Sequence, residues 1–177
     1  MTAKSHIVTN FNFALLPMLL SPDLIFSSGY HNQYYLFLAG VLFGSLFPDI
    51  DEPNSSLGKR VDFFSKDLNL LIGHRTLTHN IFLYLTIAVI SVYFIGFEYH
   101  ELFLVFGFCL GSVFHILEDS ITNGGVKKAL CPFVKNFTLV PETIRFNTNG
   151  KFENFIYIPV VSIILLAQAL KIGQDLL

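Results

Sequence analysis

His115 and Asp119 stand four residues apart in the run His115-Ile116-Leu117-Glu118-Asp119. On a helix that spacing turns both side chains to one face, where imidazole and carboxylate can grip one ion or simply hydrogen-bond to each other. Asp49 and Asp51 lie between two prolines in Phe47-Pro48-Asp49-Ile50-Asp51-Glu52-Pro53. Two carboxylates this close repel unless something cationic lies between them, which favours an ion over a solvated turn or a helix cap. His74 and His79, in Gly73-His74-Arg75-Thr76-Leu77-Thr78-His79, are five apart and either share a helix start or bracket it. His6 precedes the first apolar run. Arg75 and the pair Lys59-Arg60 can serve as lipid-headgroup anchors or, beside a metal, can bind phosphate oxygens. A histidine near an apolar face is ordinarily a hydrogen-bonded core residue, so no cluster is decisive alone. His31 and His100 receive no role.

The elements that must carry these residues are marked by hydropathy. Five apolar runs, Ile7 to Leu20, Tyr34 to Pro48, Ile81 to Phe97, Leu102 to Leu117 and Phe155 to Leu170, contain no Asp, Glu, Lys or Arg. As helices of 14 to 17 residues they would rise roughly 21 to 26 Å, a little short of a hydrocarbon core of about 30 Å. The first run, with Asn10, Asn12 and Pro17, is the weakest span. If the helices cross alternately, the N-terminus and the connections 49–80 and 118–154 share a side. That side holds Lys4, Lys59, Arg60, Lys66, Arg75, Lys127, Lys128, Lys135, Arg145 and Lys151, leaving only Lys171 opposite. Lys/Arg excess marks cytoplasmic loops, which places the N-terminus inside. The competing reading is a soluble helical domain whose two long connections carry charge because they are long. Alternate crossing brings His6, the Asp49 turn, the His79 segment and the His115 helix end to one end of the bundle. The stretch 127–154 reads as irregular, with Phe137 to Val140 a short strand or an interfacial segment.

Composition agrees with membrane association. The 177 residues are 53% hydrophobic and only 14% charged, against about a quarter in ordinary soluble domains. A formal charge of -2 offers no field for a polyanion, so no nucleic-acid partner is expected. Cys109 and Cys131 are too few for a disulfide framework, and a reduced compartment is the simpler reading, with one bridge left open. Lys4 and Phe11 to Leu20 imitate a signal peptide, but Pro17 breaks the apolar core and Ser21-Pro22-Asp23 is a poor cleavage site. The expectation is one domain over residues 1–177: an all-α, membrane-associated bundle of about five helices, with metal ligands gathered at its cytoplasmic end.

Taken in order, Met1-Thr2-Ala3-Lys4-Ser5-His6, Phe47 to Pro53 with Ser56-Leu57-Gly58-Lys59-Arg60, Gly73 to His79, and His115 to Asp119 through Thr122, Gly125 and Pro132 resemble the YdjM-like family. These are LexA-regulated, inner-membrane-associated bacterial proteins regarded as metal-dependent hydrolases and as distantly similar to zinc-dependent phospholipase C. The resemblance covers residues 1 to about 155. It implies metal ligands at His6, Asp49, Asp51, His74, His79, His115 and Asp119, more than the three or four one catalytic zinc takes, hence two or more ions. Zinc is the first expectation, with manganese or magnesium as the carboxylate-favouring alternatives. Glu52 stands where the family often has His, and Asn80 where Ser is common. On this reading Glu52, or a spare carboxylate among Asp49 and Asp51, is the proton acceptor, Arg75 steadies an anionic oxygen, and Lys59 and Arg60 hold substrate. The substrate expected is a phospholipid or lipid-linked phosphate at the inner membrane of a bacterium, in a multi-pass protein. A metal-binding scaffold or sensor without catalysis is the alternative.

Overall fold

The computed structural model describes residues 1–22, 30–52, 55, 58–61, 77–96 and 99–175. Each of the five apolar runs is helical there: α1 (Ala3–Leu20), α2 (His31–Gly44), α3 (Ile81–Ile95), α4 (Glu101–Asp119) and α5 (Ile158–Asp175). The all-α bundle read from sequence is therefore what forms. Its one sheet among the described residues is a hairpin of β1 (Val126–Leu130) and β2 (Val134–Phe137).

Helix boundaries differ from the apolar runs in ways that matter for the site. α1 starts four residues ahead of its run because Thr2 caps it, its hydroxyl accepting from the Ser5 N–H. His6 thus rides on the helix rather than before it, a correction to the sequence reading. The polar Asn10 and Asn12, which weakened the first run as a span, are inward-facing fasteners: Asn10 Nδ2 donates to Gly111 O at 3.0 Å and Asn12 Nδ2 to Val161 O at 3.1 Å. The second run, in contrast, does not stay α-helical to Pro48. α2 stops at Gly44, since Pro48 lacks an N–H and disfavours helical geometry at Phe47, and the chain turns through a tight 3-10 turn at Phe47–Asp51.

α2 and α4 approach more closely than side chains would normally allow. Gly40 and Gly44 on one, Gly107 and Gly111 on the other, make a small-residue seam in which backbone touches backbone. A Cβ on Gly44 would lie 2.1 Å from Phe108 O, and one on Gly107 2.0 Å from Phe37 O. Paired positions rise together along both helices, so α2 and α4 run parallel. Thr9 with Tyr157 and Asn12 with Val161 show the same for α1 and α5. His6 against Glu118 and Asn10 against Gly111 set α1 antiparallel to α4. Direction therefore alternates along the chain, and the starts of α1, α3 and α5 meet the ends of α2 and α4.

α3 begins at an Asn80 cap whose Oδ1 accepts from Phe82 N at 2.9 Å, while its Nδ2 donates to Cys131 O at 3.1 Å. The hairpin is thereby tied to the helix start. Val126 and Ala129 bury in a core with Tyr84, Cys109 and Ile116. The strand lies at Val134–Phe137, ahead of the Phe137 to Val140 segment expected from sequence, because Val134 and Phe137 pair with Leu130 and Val126. Both cysteines are free thiols. Among the described residues, two helical stretches are long and apolar enough to cross a membrane, Glu101–Asp119 and Glu153–Gln174, and only 6% of the second is buried in the protein. α3 is apolar but shorter.

Candidate metal centre

The site is assembled where those helix ends meet. α4 delivers His115 and, one turn on, Asp119; the turn after α2 delivers Asp49; the residue before the α3 cap is His79. One ligand atom from each of Asp49, His79, His115 and Asp119 lies within 4.8 Å of all the others. His115 Nε2 is 3.7 Å from Asp49 Oδ1 and 3.8 Å from Asp119 Oδ2, and His79 Nε2 is 3.9 Å from Asp49 Oδ1. The two histidines and Asp119 are buried, and Asp49 is half-buried.

Hydrogen bonds fix which nitrogen faces inward. His115 Nδ1 donates to Ser45 O at 2.7 Å, so the Nε2 lone pair points at the two carboxylates. The Thr78 hydroxyl donates its proton to Asp51 Oδ2 at 2.7 Å, and then has only acceptor capacity for His79 Nδ1 at 3.2 Å. His79 Nε2 is accordingly also a lone pair directed into the cluster. Tyr84 adds its hydroxyl to Thr78 O at 2.6 Å and steadies this segment from α3.

A divalent ion fits this set. Asp49 Oδ1 and His115 Nε2 are buried atoms without a hydrogen-bond partner among the described residues, although their 3.7 Å separation brings them face to face. Ligand atoms at zinc-bond length in a tetrahedron stand roughly 3.3 Å apart, so shifts of up to about an ångström would close the set on an ion. Two imidazoles with two carboxylates suit zinc and also accept manganese. Burial pushes the Asp49 carboxyl up, but positive charge on the facing His115 ring outweighs it and brings Asp49 to about 2; a bound ion would supply that charge in its place once Nε2 is a lone pair.

The family described as YdjM inner membrane protein matches residues 1–174. The chain belongs to that family. Its relatives include Inner membrane protein YdjM of Escherichia coli (strain K12), 27% identical over 129 residues, which are 71% of this chain and 63% of the relative. Inner membrane protein YdjM of Shigella flexneri matches to the same extent. Uncharacterized protein YvsG of Bacillus subtilis (strain 168) is 29% identical over 102 residues, 58% of this chain and 55% of that protein. The chain spans less than two thirds of the length of these curated relatives. No solved structure matches it.

Of the seven ligands that the YdjM resemblance implies, four form the close group. His6 lies directly behind it, stacked on His115 with ring centroids 3.7 Å apart and Nε2 3.3 Å from Asp119 Oδ1. Asp51 is buried one hydrogen bond away, through Thr78. His74 and Arg75 fall outside the described residues. Glu52 closes the Asp49 turn, half-buried, its N–H bonded to Asp49 O at 3.1 Å. Lys59 is exposed on the turn Gly58–Val61, which also carries Arg60. That turn is pulled against the Asp49 turn by Ser55, whose hydroxyl donates to Asp49 O and accepts from Gly58 N, both at 2.8 Å.

Two buried carboxylates were missed from sequence. Glu118 takes His6 Nδ1 at 2.5 Å. Glu153 accepts from Thr2 N and Asn149 N, both at 2.6 Å, and from the Ser5 hydroxyl, which anchors the start of α1 to the segment that leads into α5. Each lies within two residues of an apolar run, where a solvated helix end would carry the same residue. The only signal was their nearness to the run.

Proposed function

We propose that this protein is a membrane-bound, metal-dependent hydrolase acting on a phosphoester, most simply a phospholipid or lipid-linked phosphate. The observation that carries the reading is the group Asp49, His79, His115 and Asp119, whose donor atoms gather with both imidazole lone pairs turned inward. Asp49, His79, His115 and Asp119 would hold the first ion, and His6 with Asp119 a neighbouring one. A bound divalent ion supplies Lewis acidity and a lowered pKa for water at neutral pH.

The remaining tasks fall to the chain. Ser45 O and the Thr78 hydroxyl keep the imidazoles in the required tautomer. Glu52, at the end of the turn that presents Asp49, would take a proton. Lys59, Arg60 and Arg75 supply cationic donors for the anionic oxygens of a phosphoester. The excess of cations on the N-terminal side of an alternating bundle supports a multi-pass arrangement in the bacterial inner membrane, with the N-terminus and the site facing the cytoplasm.

A metal-binding scaffold or sensor is the second reading, favoured by one observation: four protein donors with three of them buried would fill a tetrahedral ion and leave no open position. The test is metal analysis of detergent-purified protein, wild type beside Asp119→Ala, followed by phospholipid hydrolysis with and without chelator. We expect one or more equivalents of transition metal, lost in the variant, and turnover that chelation abolishes and zinc restores. Tightly held metal with no turnover of any phosphoester would favour the scaffold. No metal after reconstitution would overturn both.

A further inference from the structure

α1 and α5 do not close fully along their shared length. Between them runs a lateral groove of about 290 Å3, lined by Thr9, Asn12, Leu16, Val161, Ile164 and Gln168. Its rims are exposed, Leu16 at 38% and Ile164 at 47%, and it opens on the helix that the protein covers least. Measured along α5 from Tyr157 to Gln168 it extends about 16 Å, which is half the depth of a hydrocarbon core. One end lies at the Thr9 to Tyr157 hydrogen bond of 2.9 Å. Thr9 is one helical turn from His6, whose ring stacks on His115.

The groove is mainly apolar: the Thr9 and Tyr157 hydroxyls bond to each other at one end, Gln168 lies at the other, and Asn12 stands between them. Asn12, 8% exposed, uses both amide protons, on Val8 O at 2.8 Å and Val161 O at 3.1 Å. Those two bonds fix its orientation. Its Oδ1 is then a buried acceptor with no partner among the described residues, as is Gln168 Oε1 at the far end of the groove. Such an oxygen favours an occupant that brings a donor.

We propose that this groove holds one acyl chain of a membrane lipid, and that Asn12 Oδ1 selects a lipid carrying an amide N–H or hydroxyl near the head of that chain. The proposal rests on the hydrolase reading in so far as the lipid head would then lie at the metal centre. Continuity decides the occupant: the groove is open sideways along the exposed apolar length of α5, is one leaflet deep, and ends beside the metal ligands.

The experiment is native mass spectrometry of the full chain in mild detergent, incubated with an equimolar mixture of palmitoyl-sphingomyelin and dipalmitoylphosphatidylcholine, which share a headgroup, with metal content measured on the same samples. One retained lipid per chain is expected, with the amide lipid preferred about three- to tenfold. Ile164→Trp, or Leu16→Trp from the opposite wall, should cut retention of both lipids by about tenfold or more by filling the groove, with metal content unchanged. Asn12→Leu should keep retention and erase the preference. Metal at the wild-type level with lipid retention indifferent to either tryptophan would overturn the groove, and equal retention of the two lipids by the wild type would overturn the role of Asn12. Lipid retained as expected on a protein that binds no metal would instead overturn the hydrolase reading and leave the groove standing.

Discussion

His115 has one ring nitrogen committed to a backbone carbonyl and the other left for an ion, and His79 reaches the same state through a side chain. This difference gives the second histidine a weak link. Thr78→Val preserves shape but removes the hydroxyl between His79 Nδ1 and Asp51 Oδ2. Metal affinity, read by competition with a chelator, should fall about 10- to 100-fold, the usual cost of losing an outer-shell partner. Proton competition has a defined sign here as well. Asp49, held at about 2, stays ionised at any pH where the protein is handled, so the imidazoles decide the response. Protonation of His79 and His115 places positive charge where the ion must sit, and bound metal should fall on acidification. Occupancy measured by dialysis from pH 8 to pH 5 would check this; a flat profile would remove histidine from the ligand set. The residue types were legible in sequence because spacing and charge crowding are local. Glu118 was not, because only the approach of α1 to α4 places its carboxylate on His6 Nδ1 at 2.5 Å instead of in solvent.

At the scale of elements, the α2–α4 seam holds the two helix ends that carry most of the ligands. Gly44→Val would place a Cβ 2.1 Å from Phe108 O, against backbone that cannot swing aside. We expect destabilisation of about 3 kcal/mol or more and a lowered melting temperature in detergent, together with reduced metal content, since Asp49 and His115 would be pushed apart. Gly173→Ala on α5 is the control: nothing lies within 4 Å of its added Cβ, and stability should hold or rise slightly. The five helices were readable from five charge-free runs. Their ends were less so, for different local reasons. Pro48 stops α2 early by removing a donor, and Thr2 starts α1 early by supplying an acceptor. The hairpin could not be read at all as a core element, because Val126 and Ala129 earn burial only from α3 and α4 packing over them.

For the whole molecule, the exposed apolar face of α5 is the feature most open to test. Ile163 at 65% and Leu166 at 60% exposure project away from the rest of the protein. Leu166→Arg should reduce carbonate-resistant recovery in the membrane fraction, because an arginine at mid-helix costs about 2.5–3.5 kcal/mol on insertion scales. Recovery equal to wild type would count against α5 as a span. The sequence by itself determined the helices, their alternation and the residue types able to bind a metal, since hydropathy, turn chemistry and charge are properties of neighbouring residues. It did not determine which carboxylates and imidazoles meet. The tertiary structure decided that Asp49, His79, His115 and Asp119 form the close group, that Asp51 stands behind Thr78, and that Glu118 and Glu153 are buried. Those outcomes depend on contacts between residues 30 to more than 140 positions apart, where small differences in helix approach, here set by four glycines, choose which side chain points inward.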